Sequence, residues 1–146
     1  YWFDASTGLF TTSLAYKKEL PEWLRKFNET AGITKLTEVT WDLAYPKESD
    51  AYARVNPDTY NYAATKEPIA GTTISIDRNK KLPFDGYERS PESHRALLKL
   101  VTTYLDTETN NENRTVIFLS INNLDKVGHL YGPDSYEIID TLYHLD

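Results

Sequence analysis

The alternation of hydrophobic and polar positions changes period several times along this chain, and each change marks an element. Residues 1–16 are dense in aromatic and β-branched types with Thr7-Gly8 as a turn signal, which predicts a strand over Leu9–Leu14. Leu20, Trp23, Leu24 and Phe27 then recur at helical spacing. Pro21 suits the opening of that helix, where its missing N–H would find no partner anyway, and Gly32 is a natural stop. Ile33, Leu36, Trp41 and Leu43 predict a short helix or turn over 33–45. From 45 to 70, Pro46, Pro57 and Pro68 forbid long regular elements. Tyr45, Tyr52, Tyr60 and Tyr62 in the same stretch predict an ordered loop with amphipathic rings at the edge of a core. A ligand-stacking surface is the other reading of those rings.

The second half has a cleaner rhythm. Thr72–Ile76 alternates as a strand does, and a loop with Pro83 and Gly86 follows. Ser90-Pro91 opens a helix whose buried stripe is Leu97, Leu100, Val101 and Tyr104. After the polar break Glu108–Asn113, the continuous apolar run Thr115–Ile121 fits a strand covered on both faces, as in a parallel sheet. Gly132-Pro133 marks a loop, Asp134 or Ser135 can cap, and 134–145 reads as a helix with Tyr136, Ile139, Leu142 and Tyr143 on one side. From residue 90 the order is helix, strand, loop, helix, which is α/β organisation. The expectation is one partial domain, with 1–70 a helical or irregular cap-like segment and 71–146 an α/β core piece.

Composition narrows the partners. The chain has 146 residues, 40% hydrophobic and 26% charged, which is globular composition. Its apolar runs fall short of the roughly 20 residues that span a bilayer. The formal net charge is −6, and Lys80-Lys81 is too small a basic cluster to read nucleic acid through its phosphates. An anionic substrate must then be attracted by something other than net charge, such as a bound metal. With 0 cysteines there is no disulfide and no thiolate metal site. The sequons at Asn28 and Asn113 are common chance triplets. The chain contains 0 methionines and begins Tyr-Trp-Phe-Asp with no recognisable signal peptide, and it stops at Leu145-Asp146 within a helical pattern. These features lead us to expect an internal piece of a longer protein.

The candidate chemistry lies beyond the apolar run, where open α/β sheets bind their ligands. Asp125 offers a hard oxygen and His129 a neutral nitrogen, a pair that suits zinc. Gly128 between them permits a close approach or an unusual dihedral. On spacing alone, Asp-x3-His reads first as a solvent-exposed aspartate and a loop histidine, and the position after the apolar run brings the two readings level. His94 and His144 read as helix-surface residues without a role.

The string DKVGHLYGPDS, followed by IIDTLYHLD, resembles the metal-ligand segment of the alkaline phosphatase superfamily. YWFDASTGLFTTS and ELPEWLRKFN are similar to the phosphate-irrepressible alkaline phosphatases, and the two matches stand in the right order. The stretch from about 45 to 90 departs from that pattern, as do Asn122-Asn123 before the aspartate and the segment Ser90–His94. The resemblance implies an alkaline-phosphatase-like fold with a parallel-sheet core, a periplasmic or secreted location, and a phosphate ester as substrate. It also implies two zinc ions in the intact site, one of them held by Asp125 and His129. The family's threonine nucleophile, phosphoryl-contacting residues and remaining ligands correspond to positions outside this chain. The expected function is therefore a fragment of a zinc-dependent phosphomonoester hydrolase, inactive alone and completed by flanking parts of the same enzyme. A phosphodiesterase or nucleotide pyrophosphatase of the same superfamily is the alternative within the resemblance. A non-catalytic binding or accessory domain is the alternative outside it.

Overall fold

A computed structural model describes residues 1–56, 68–108 and 114–146. Pro57, Tyr60, Tyr62, the sequon asparagine Asn113 and most of the expected polar break lie outside the described residues. In chain order the elements are β1 (Trp2–Asp4), β2 (Leu9–Thr11), α1 (Glu22–Ala31), β3 (Glu38–Thr40), β4 (Thr73–Ser75), α2 (Asp85–Arg89), α3 (Pro91–Glu108), α4 (Asn123–Tyr131) and α5 (Tyr136–Leu145). Single 3₁₀ turns occupy Ile33–Lys35 and Asp50–Tyr52. The chain is mixed α and β.

Local chemistry accounts for most of these boundaries. The β1–β2 turn closes on Asp4, whose carboxylate accepts from the Ser6 N–H (2.9 Å), the Ser6 hydroxyl (2.7 Å) and the Thr7 hydroxyl (2.9 Å). The hydrogen bonds from Ser6 lead in holding the Asp4 carboxyl below its ordinary value. Gly8 completes the turn at φ 75°, and a Cβ there would lie 2.6 Å from the buried Phe84 ring. The strand expected to reach Leu14 stops at Thr11, because Leu14 stands in solvent, 81% exposed, with nothing to cover it. Helix α1 begins after Pro21 and ends at Gly32, which takes the left-handed φ of 71°. Asn28 on α1 turns its carboxamide onto the β2 edge, accepting from the Phe10 N–H and donating to the Phe10 carbonyl, both at 2.9 Å. The short helix or turn read over 33–45 is one 3₁₀ turn followed by β3.

β1 pairs with β2 and β3 with β4, both antiparallel. Gly86, expected in a loop, lies inside α2. A Cβ on it would meet Ile74 Cγ2 at 2.5 Å, so glycine here lets the helix sit directly on β4. One core gathers Phe10, Leu24, Phe27, Val39, Phe84 and Leu100 between the first hairpin, α1 and α3. A second gathers Trp41, Ala70, Val127 and Tyr131 around α4.

Two expectations need correction here. The run Thr115–Ile121 forms no strand among the described residues, and nothing among them covers it: Val116 is 77% exposed and Phe118 94%. A strand needs a ladder partner, and among the described residues both sheets complete their pairing elsewhere. The expected apolar side of α5 is also not its most buried side. Leu142 and Tyr143 are exposed, whereas Glu137, Asp140 and Thr141 are fully buried.

Candidate metal centre

Asp125 and His129 lie on a helix, not in a loop. α4 buries Asn123, Val127 and Tyr131, spaced one turn apart, and this stripe fixes the rotation of the helix. Residue 125 is two positions from 123, so it points to the opposite side. Asp125 and His129 accordingly project into solvent one turn from each other, with side chains 77% and 82% exposed. Gly128, where an unusual dihedral was one reading, has no positive φ. The other reading holds: a Cβ there would come within 3.3 Å of Ile138 Cδ1 on α5. Gly132 ends α4 at φ 90°, its N–H returning to the Gly128 carbonyl at 2.9 Å. Ser135 caps α5, its hydroxyl accepting from the Ile138 N–H at 3.2 Å.

Asp125 Oδ1 lies 3.4 Å from His129 Nε2. Two ligands of one tetrahedral zinc, each about 2.1 Å from the ion, stand about 3.4 Å apart. The donor types and their separation therefore fit two corners of a zinc tetrahedron. No group of three or more His, Cys, Asp or Glu side chains placed to hold a metal occurs among the described residues. A cavity of about 380 Å³ opens beside the pair, walled by Leu124, Gly128, Pro133, Ile138 and Leu142.

Both other histidines differ from expectation. His94 is buried at 3% exposure, on the inner side of the first turn of α3. Neither ring nitrogen forms a hydrogen bond among the described residues, and neither do the amide atoms of Asn123 beside it. Burial holds the imidazole below its ordinary value of 6.5, with Asn123 working against that shift. The unfolded chain thus takes up this proton first, so the stability His94 contributes is present above about pH 6.5 and lost as pH falls through the folded value. The urea midpoint of the wild type is expected to drop between pH 7 and pH 5 more than that of His94→Gln. Glu137, raised by burial, acts in the opposite sense, so the difference between the two proteins is the quantity to read.

His144 is likewise partly buried, with Nε2 at 2.9 Å from the Asp42 carbonyl and 3.2 Å from Asp140 Oδ2. Arg95 approaches its Nδ1 at 3.2 Å. Glu137 and Asp140 are not among the residues expected to carry a role. Asp140 accepts from the Trp41 indole N–H (2.6 Å), the Ala44 N–H (2.8 Å) and the Tyr52 hydroxyl (2.5 Å). Glu137 Oε1 accepts from the N–H groups of Ile69 (2.6 Å) and Ala70 (3.2 Å). Their trace in the sequence was a polar face, Glu137, Asp140, Thr141 and His144, set into an otherwise aromatic and aliphatic helix.

All of the chain, residues 1–146, matches the family of type I phosphodiesterases and nucleotide pyrophosphatases, and it belongs to that family. Among its relatives, an alkaline phosphatase PafA of Elizabethkingia meningoseptica is 29% identical over 153 residues, and an alkaline phosphatase PhoV of Synechococcus elongatus 28% over 150. A protein named calcium-transporting ATPase, from Myroides odoratus, is 30% identical over 153 residues. Each alignment covers 100% of this chain but only 27% or 28% of the relative's length. No solved structure matches.

Proposed function

We propose that this chain is part of a zinc-dependent phosphomonoester hydrolase and supplies two ligands of one zinc, Asp125 and His129. The observation that carries the proposal is the 3.4 Å separation of Asp125 Oδ1 and His129 Nε2 on the solvent side of α4. A zinc ion held there would supply Lewis-acid polarisation of a phosphoryl oxygen and positive charge against the phosphate. That charge matters in a chain whose formal net charge is −6. Asp125 contributes an anionic oxygen. His129 contributes the Nε2 lone pair and must therefore be neutral, with its proton on Nδ1. Membership of the type I phosphodiesterase family keeps a diesterase or nucleotide pyrophosphatase as the second reading.

The rest of the site comes from other parts of the same protein in this reading. The run 115–121 takes its place in a parallel sheet with strands from those parts, and 1–70 forms the cap. The compartment is periplasmic or secreted, as for the enzymes the chain resembles. The isolated chain turns over no phosphate ester. Zinc content tests the ligand assignment. The intact hydrolase carrying Asp125→Ala or His129→Ala is expected to lose one of its two zinc ions in elemental analysis, and retention of both would exclude these residues.

A further inference from the structure

α5 carries no candidate ligand, yet the way it is held is unusual. Glu137 and Asp140 are fully buried carboxylates one turn apart, and each gathers donors from a different piece of chain. Asp140 takes three from the 41–52 segment, and Glu137 takes the N–H groups of Ile69 and Ala70. Burying two carboxylates is costly, and their hydrogen bonds offset part of that cost while tying α5 to both segments, although Glu137 Oε2 has no partner among the described residues. Between Glu137 and Asp140 lie Ile138 and Ile139, and Ile138 packs toward α4. Its Cδ1 would stand in tight contact, 3.3 Å, with a Cβ on Gly128, and Gly128 directly precedes His129. Both residues line the cavity beside the candidate ligands.

We propose that α5 is the positioning element of the metal centre: Glu137 and Asp140 lock it in place, and the Ile138–Gly128 contact sets how α4 presents Asp125 and His129. Gly128, Ile138, Glu137 and Asp140 are positioning residues, and none of them touches substrate or metal. The inference rests on Asp125 and His129 being ligands.

Gly128→Ala separates positioning from stability. Alanine favours a helix over glycine while its Cβ presses on Ile138, so a purely structural role moves the unfolding midpoint at most slightly and leaves zinc affinity unchanged. Positioning predicts the same midpoint with zinc affinity lowered about tenfold, the scale of losses around metal ligands. Ile138→Val removes Cδ1, the atom in the way, so Gly128→Ala/Ile138→Val is expected to recover wild-type affinity while Ile138→Val alone changes little. Glu137→Gln keeps the accepting oxygen and is expected to bind zinc normally, whereas Glu137→Ala is not. These affinities are measured on the intact hydrolase by competition with a chromogenic chelator. Undiminished affinity in Gly128→Ala, or no recovery in the double variant, overturns the proposal. Asp125→Ala is the reference: if it too leaves zinc bound, the ligand assignment has failed and not the positioning.

Discussion

Asp140→Ala is expected to destabilise the fold by on the order of 4 kcal/mol, the largest loss for any single polar side chain among the described residues. The carboxylate is fully buried and accepts from three donors: the buried Trp41 indole and Tyr52 phenol, and the part-buried Ala44 N–H. Each buried donor left unpaired costs roughly 1–3 kcal/mol, and partial relaxation keeps the total below the simple sum. Trp41 is itself 0% exposed and anchors the second core, so its movement would also loosen Val127 and Tyr131. Typical domains have only about 5–15 kcal/mol to lose. Burial first, and the Asp140 carboxylate second, hold the Tyr52 hydroxyl protonated well beyond neutral pH, so this donor persists across the working range. Asp140→Asn should fall between, because its oxygen still accepts while its NH₂ faces a donor. The measurement is the urea midpoint. A shift in Asp140→Ala no larger than that of the exposed substitution Asp125→Ala would show that the hub contributes little.

This hub also shows where reading the sequence succeeds and where it stops. α1 and α3 were legible because their boundaries are local: Pro21 and Gly32 bracket one, and Pro91 opens the other. α5 was legible as a helix but not in its orientation. Its aromatic and aliphatic residues gather on one side, yet the side that faces inward is the one whose polar groups find donors from residues about 70 to 100 positions earlier. Nothing in a local window reports such partners. The apolar run 115–121 failed for a related reason, since apolarity records a tendency to be covered but not which strand does the covering. Asp125 and His129 were found through the long motif. The helix beneath them was missed because Gly132-Pro133 reads as a loop signal. Gly128 is there to admit Ile138, a packing demand set by α5.

The other large effect falls on catalysis and not on stability. In the intact hydrolase, Asp125→Ala and His129→Ala are each expected to lower kcat/KM for a phosphate ester by on the order of 10³-fold. That corresponds to about 4 kcal/mol of transition-state stabilisation, within the range a bound metal supplies. Both side chains are mostly in water, 77% and 82% exposed, so neither substitution should move the urea midpoint by more than about 0.5 kcal/mol. Because the two residues share one ion in this reading, their losses should not add. Once either is gone the ion is misplaced or absent, and removing the second takes away little more, as happens when residues act as a unit. The double variant is thus expected to sit within a few fold of the weaker single one. Independent roles, such as a surface aspartate and an unrelated general acid, would instead multiply to about 10⁶-fold. Adding zinc in excess gives a second discriminant. It should partly restore each single variant by mass action, the more so where His129 remains to hold the ion, and it should do nothing for a defect in substrate binding alone.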